Sequence, residues 1–488
     1  MLNRAFLDGS TWGAPGARVE HVETHAAHVF LVGERAYKIK KAVKYPYLDF
    51  SSVEKREAVL ARELETNRIF APDIYLHVAH VLDEPVLVMR RFRGDDLLAE
   101  RLKRGPMPAD LSRALARAVA DSHRAAPRRD VAGAGIMRGL VNQLSQTFAA
   151  SPDVFERCDA ERFASEAMAH LARLAPLLDA RSGKGLVRRC HGDLHSGNIV
   201  VIGERPLLFD CIEFSEEIAT IDVLYDLAFL LMDLVHRGQG QGANRLFNHY
   251  LNMRRAEEDF SGLAALPLFL AIRAGVRALV TADRMHTAES GGQAKARDEA
   301  RSYLRNALAE LRPTPPRLIC IGGLSGTGKS TLADALAPIV GSIPGAVLVR
   351  SDVERKVMAG VAETEKLPFD SYTPQASQHV YEAAFARAST ALKAGHAVIL
   401  DAVFSKPEER RAAEQVARDT GVAFTGLWLE AKPAQMKARV AQRHNDASDA
   451  DIAIVEKQML RGTGEVDWHH IDAGGGPADT LARAKALV

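Results

Sequence analysis

At 488 residues the chain is about three times the length expected of one domain, so two or three cores are required. Hydrophobic residues at 47% and charged residues at 26% exclude disordered, collagenous and fibrous classes. Lys plus Arg at 63 against Asp plus Glu at 62 leaves no global field to gather a polyanion or an anionic membrane, so any anionic ligand must be held locally. The four cysteines, Cys158, Cys190, Cys211 and Cys320, form no CxxC pair and suggest neither a zinc cluster nor a disulfide framework, which points to a reducing, cytoplasmic compartment. The amino terminus has no apolar run of signal-peptide length. Asp226, Asp233, Arg273 and Arg277 interrupt the most apolar stretches, so neither export nor a membrane span is expected.

Residues 1–92 read as a small α+β lobe. HVFLVGERAYKIK has strand character on both sides of a turn at Gly33, SSVEKREAVLARELETNRIF has helical spacing, and VLVMRRF returns to a strand. Lys38 and Lys40 fall on one face of their strand, and Glu63 lies on the helix that follows. Residues 93–311 are mostly Ala, Leu and Arg at helical spacing, interrupted by one strand-loop-strand segment, CHGDLHSGNIVVIGERPLLFD, at 190–210. In that segment Asp193 precedes Asn198 by five residues and Asp210 closes the second strand. A carboxylate at 193 can accept the proton of an attacking hydroxyl, while Asn198 and Asp210 can bracket Mg²⁺ from two sides. The spacing is that of a kinase catalytic loop and its metal-binding aspartate, and three side chains at the right offsets separate it from a chance HGD turn. One Lys–Glu pair would hold the α and β phosphates of ATP. Both lysines are candidates, and comparison of YKIK with the V-A-I-K strand pattern favours Lys40. Met89 to Phe92 would form the hinge between the lobes, and residues 286–296, HTAESGGQAKA, read as a mobile loop.

Across about residues 20–310 these motifs resemble the aminoglycoside phosphotransferase-like branch of the kinase fold, which implies a bilobal domain. Two departures stand out. Thr24 to His28, THAAH, replaces the glycine-rich loop of protein kinases, and Asp210 is followed by Cys211 and Ile212 instead of Phe-Gly. The helix starting near Asp222 begins about ten residues after Asp210, which leaves no room for a long activation loop and favours a small hydroxylated acceptor over a folded protein.

The prolines of RPTPPR, residues 312–317, mark a linker, and residues 318–488 follow as a further domain. Four apolar runs, RLICIGG, AVLVRSD, AVILDA and FTGLWLE, alternate with helical segments, the pattern of a parallel sheet with crossover helices. Gly323, Ser325, Gly326, Thr327, Gly328, Lys329, Ser330 and Thr331 carry the G-x-x-x-x-G-K-[ST] phosphate loop between a strand and a helix. Backbone amides of such a loop cradle phosphate oxygens, Lys329 reaches the β and γ phosphates, and Ser330 ligates Mg²⁺. Asp352 and Arg355 follow the second apolar run, at the sheet edge where ligands sit. There a carboxylate can take a proton from a hydroxyl and an arginine can orient the acceptor. Asp401 ends the third run and is a candidate for orienting Mg²⁺. Arg439 and Arg443, at i and i+4, share one helix face and can cover transferring phosphates.

Residues 317–488 resemble the P-loop small kinases, a group that includes gluconate-type, zeta-toxin-type and polynucleotide 5′-kinase domains. The resemblance implies Asp352 as general base, Arg355 as an acceptor-site residue, and Arg439 and Arg443 as lid arginines. The whole chain resembles a bacterial tandem family in which a phosphotransferase-like domain is fused to a P-loop kinase. The expected function is transfer of the γ-phosphoryl of ATP, with Mg²⁺, to a small-molecule hydroxyl from two kinase-type sites. In the alternative, the P-loop domain is the only active kinase and the amino-terminal domain is a nucleotide-binding regulator. A polynucleotide 5′-hydroxyl or a sugar nucleotide is a further acceptor class, suggested by SDVER and disfavoured by the near-neutral charge of residues 317–488.

Overall fold

The structure, a computed structural model, describes residues 3–24, 26–45, 48–287, 290–442 and 447–488. Two compact units emerge, Met1–Leu140 with Ala175–Gly242, and Val141–Leu174 with Ala243–Val488. The division falls near residue 242 rather than at the 312–317 seam, where Pro313 to Pro316 carry neither helix nor strand.

In the first unit a five-stranded antiparallel sheet has the spatial order Glu20–Glu23, Ala27–Val32, Arg35–Lys40, Glu84–Arg90 and Tyr75–Val81. The turn joining Ala27–Val32 to Arg35–Lys40 uses Gly33 at φ +55°, a left-handed position that suits glycine. Phe6, Trp12, Phe30 and Ile39 build a core on one face of the sheet. The helix Val53–Phe70 buries Leu60 against Tyr75 and Leu87. Downstream come the helix Ala109–Ala125 and the hairpin Ile199–Ile202 with Arg205–Leu208. The helix Val223–His236 is buried at every position from Val223 to Leu234, including Asp226 and Asp233. Its N-cap Asp222 accepts from the Leu224 amide at 2.8 Å and is gripped by buried Arg181, through Nε at 2.7 Å and Nη2 at 2.8 Å.

The second unit holds a five-stranded, wholly parallel sheet in the order Val347–Arg350, Val398–Asp401, Arg317–Gly322, Ala423–Glu430 and His469–Asp472. The four apolar runs supply the first four of these. The fifth, HHID, buries only Ile471 of its four residues, so it has no apolar run to announce it. Ile319, Ile321, Leu332, Leu336, Ile399, Leu427 and Leu429 form the core under this sheet. The same unit contains the helices Leu266–Thr287 and Ser290–Glu310. The segment read as a mobile loop at 286–296 is therefore helical wherever it is described, and residues 288 and 289 lie outside the described residues. Glu257–Met285 is long and apolar enough to cross a membrane by length and composition, and 67% of its most apolar window is buried within the protein.

Candidate active sites

The amino-terminal site is built around Glu63, which the helix Val53–Phe70 delivers fully buried beneath the strand Arg35–Lys40. Lys38 Nζ lies 2.6 Å from Glu63 Oε1 and 3.0 Å from Asp210 Oδ1. Lys40 Nζ lies 2.7 Å from Glu63 Oε2 and 2.7 Å from Glu213 Oε1. A buried carboxyl on its own would hold its proton, but the two ammonium groups outweigh burial and keep Glu63 well below the usual carboxylate range. Burial would likewise discharge Lys38, yet the Asp210, Glu63 and Glu213 carboxylates hold it well above its ordinary value. Lys38, not Lys40, is the lysine that joins the helix glutamate to Asp210; Lys40 is buried and engaged by Glu63 and Glu213. Both lysines reach Glu63, and their other partners across the cleft, Asp210 for Lys38 and Glu213 for Lys40, are what distinguish two side chains on one strand face.

The catalytic-loop residues come together as expected. Asn198 Nδ2 donates to Asp193 Oδ2 at 2.8 Å and to the Asp193 carbonyl at 3.0 Å. The Phe209 amide donates to the Asn198 carbonyl at 3.0 Å, which brings Asp210 alongside the loop. Asp210 adopts φ +58°, with its amide bonded to the Tyr75 hydroxyl at 2.9 Å, and the next amide, of Cys211, donates to Asn67 Oδ1 at 2.9 Å. The loop hangs from the helix Val223–His236. Asp226 accepts from the amides of His191 at 3.3 Å and Gly192 at 2.9 Å and lies 3.1 Å from His123 Nε2. Asp233 accepts from the Ser196 amide at 2.9 Å and from the Ser196 hydroxyl, and pairs with Arg237. Sequence reading took Asp226 and Asp233 only as charges that break an apolar run. Their signal was there: two aspartates seven residues apart share one face of a helix otherwise apolar, and buried charges need partners. His123, Cys190 and Asp226 place ligand atoms within 4.8 Å of one another, but hydrogen bonds to the loop and to the Ile221 carbonyl already engage this group.

In the carboxy-terminal site the phosphate loop lies between the strand Arg317–Gly322 and the helix Lys329–Leu336. Gly323 and Gly326 take φ +138° and +87°, and a Cβ there would meet the carbonyl oxygens of Leu429 at 2.6 Å and Met436 at 2.5 Å. Ser330 Oγ donates to Asp401 Oδ2 at 2.7 Å, and Arg350 Nε stands 3.4 Å from the same oxygen. Lys329 Nζ donates to the Leu324 carbonyl at 3.1 Å. The Ser325 amide donates to Gln458 Oε1 at 2.9 Å, a contact no sequence spacing signalled. Burial pushes the Asp352 carboxyl above its ordinary range, opposed by the Arg350 guanidinium and assisted by the Asp401 carboxylate. Arg355 is fixed in place, donating from Nη1 to the Ser371 carbonyl at 2.7 Å and lying 4.7 Å over the Tyr372 ring. Tyr372 and Lys356 in turn both donate to Asp449, three residues that sequence reading missed.

Arg439, expected to cover the phosphates, lies beside the phosphate loop. Its guanidinium donates to the carbonyls of Thr327 at 3.3 Å, Ala473 at 2.8 Å and Gly475 at 3.3 Å. With Thr327, Gly328, Thr331, Pro477 and Thr480 it lines a cavity of about 330 Å³ beside the phosphate loop. Arg439 is a wall of that cavity, because three carbonyls hold its side chain. Arg443 lies outside the described residues. The residues placed to hold a metal, Asn198 and Asp210 in one site and Ser330 and Asp401 in the other, offer only oxygen donors, the set a hard cation such as Mg²⁺ takes.

Residues 49–266 match the model of the phosphotransferase enzyme family, and residues 318–463 match that of an AAA domain. Uncharacterized proteins of Mycobacterium tuberculosis and Mycobacterium bovis are each 33% identical over 477 residues, 93% of this chain and 92% of theirs. Among solved structures, a choline/ethanolamine kinase family protein from Mesorhizobium loti is 19% identical, covering 61% of this chain and 93% of its own, with a TM-score of 0.39. A sugar kinase from Janibacter sp. is 18% identical, covering 36% and 94%, with a TM-score of 0.28. Both halves are kinase-type, nucleotide-using domains, so the protein is a phosphotransferase. The chain belongs to the family of these mycobacterial proteins, in which a phosphotransferase-family domain is followed by a P-loop kinase-like domain.

Proposed function

We propose that the chain is a tandem kinase in which each half binds ATP with Mg²⁺ and transfers the γ-phosphoryl to the hydroxyl of a small molecule. The observation that carries this reading is the ionic chain Glu63–Lys38–Asp210, which joins residues far apart in sequence into the arrangement a nucleotide phosphate and its metal require. In the amino-terminal site Lys38 holds the phosphates, Asn198 and Asp210 hold the metal, and Asp193 takes the acceptor proton. In the carboxy-terminal site the amides of residues 323–328 and Lys329 cradle the phosphates, and Ser330 with Asp401 holds the metal. Asp352 takes the acceptor proton there, and the upward shift that burial gives it makes it a stronger base than an ordinary aspartate. A Mg²⁺ held by these oxygen donors would supply charge neutralisation for the transferring phosphoryl. Arg355, already oriented by Tyr372 and Ser371, is positioned for the acceptor. The small-molecule acceptor, in preference to a polynucleotide, follows from the absence of a basic domain in the sequence, and the four free cysteines favour a cytoplasmic setting.

One observation favours the alternative, in which the amino-terminal half is a nucleotide-binding regulator. The turn after Glu20–Glu23 closes on itself, the Thr24 amide donating to the Ala27 carbonyl at 2.8 Å, and supplies no glycine-rich loop to cover the phosphates. The two readings part in a mutant pair: Lys329→Ala and Asp193→Ala each remove a separable fraction of ATP turnover if both halves transfer, whereas Asp193→Ala leaves turnover intact if the amino-terminal half only regulates.

A further inference from the structure

The helix Gly240–Arg254 and the residue just after it contact three elements that carry P-loop site residues. On the nucleotide side, Arg245 pairs in two-pronged fashion with Asp334 on the helix Lys329–Leu336, whose first turn carries Lys329 and Ser330. On the acceptor side lies the edge strand Val347–Arg350, which pairs with only one neighbour in the sheet. Asn248 accepts from the Leu348 amide at 2.7 Å, and Asn244 and Asn248 donate to the Ala346 carbonyl at 3.1 and 3.2 Å. Two asparagine side chains thus satisfy backbone groups that an open sheet edge leaves unpaired. The helix Ser351–Met358, which carries Asp352 and Arg355, is held from its other face through buried Glu354. Glu354 accepts from Arg387 and pairs with Arg255 Nη1 at 3.6 Å.

Arg255 is the unusual member of this set. It sits one residue past the helix end at φ +55°, a left-handed backbone that glycine takes freely and a side chain with a Cβ takes at a cost. Burial lowers its pKa to about 10, opposed by the Glu354 carboxylate. A left-handed residue one position past a helix end is an ordinary helix stop, so what sets Arg255 apart is its guanidinium facing the buried Glu354 carboxylate.

We infer that Arg255 is a positioning residue for phosphoryl transfer in the P-loop half: through Glu354 it fixes the helix that presents Asp352 and Arg355 to the acceptor. The inference rests on the proposed P-loop kinase activity. It also places residues 244–255, within the stretch matched to the phosphotransferase family, in the working apparatus of the other site.

Arg255→Gly is the informative variant, because glycine suits φ +55° and removes the whole side chain, guanidinium included, without straining the backbone, and Arg255→Lys keeps a cationic stem as the control. The thermal midpoint is expected to stay or rise, and the affinity of the P-loop for an ATP analogue to stay within about twofold. The share of turnover lost in Lys329→Ala is expected to fall at least tenfold, with Arg255→Lys restoring most of it. Hydrogen exchange of the amides of Ser351 to Met358 is expected to accelerate in Arg255→Gly. Unchanged turnover together with unchanged exchange in that helix would overturn the inference. If the wild type shows no Lys329-dependent turnover, the proposed P-loop kinase activity is what fails, and the exchange comparison still decides whether Arg255 positions the helix.

Discussion

The two candidate sites are built by opposite means. The amino-terminal site is assembled from side chains: Glu63 between Lys38 and Lys40, Asp210 against Lys38, and a loop suspended from Asp226 and Asp233. The phosphate-binding part of the carboxy-terminal site is assembled from backbone, with glycines at positive φ turning a loop at a helix start. A site made of buried charges fails when one partner is removed. A site made of backbone fails when one Cβ is added.

The largest expected effect is at Glu63. Glu63→Ala leaves buried Lys40 and half-buried Lys38 short of a carboxylate, so stability falls by roughly 3–5 kcal/mol, seen as a lower denaturation midpoint, and nucleotide binding in the amino-terminal site is lost. The backbone counterpart is Gly326→Ala, which sets a Cβ 2.5 Å from the Met436 carbonyl at φ +87°. ATP-analogue affinity of the P-loop is expected to fall by about 100-fold or more with the amino-terminal site untouched, as read by calorimetry; the loss of several phosphate-loop bonds at about 1.5–3 kcal/mol each sets that scale.

A smaller contrast separates the two lysines. Lys38→Met is expected to abolish metal-nucleotide binding in its site, whereas Lys40→Met, which loosens Glu63 without touching Asp210, weakens it by about tenfold, one hydrogen bond's worth. Equal effects would mean that both lysines serve the phosphates.

Legibility followed the same divide. The phosphate loop, Ser330, Asp401 and four of the five parallel strands could be read because backbone sites and apolar strands are written in contiguous residues. The meeting of Asp193 with Asn198, and of the Asp210 segment with their loop, could be read because that spacing is fixed by one loop and one hairpin. The Lys38–Asp210 contact, the amide contacts of Asp226 and Asp233, the carbonyl contacts of Arg439 and the Gln458 contact were not readable, since each depends on which segment lies opposite. His469–Asp472 was missed because its burial is supplied by a single residue.

The gentlest contrast is in pH. Glu63 has a lowered pKa, so the stability it contributes is present above the ordinary glutamate value of about 4.5 and is lost only as pH falls through its depressed value. Asp352 has a raised pKa, so on acidification it takes up a proton before an ordinary aspartate would. Turnover that depends on Lys329 is therefore expected to decline on acidification while nucleotide binding at the Lys38–Glu63 site persists. A P-loop rate flat down to the ordinary aspartate range would remove Asp352 as the base.

The claim that joins these comparisons is that one chain carries two working nucleotide pockets. It is tested most directly by the calorimetric stoichiometry of a non-hydrolysable ATP analogue with Mg²⁺, on the wild type and on Lys329→Ala. Two sites falling to one is the predicted result. One site falling to none would contradict it, showing that the amino-terminal half keeps the Lys38–Glu63–Asp210 arrangement without binding the nucleotide.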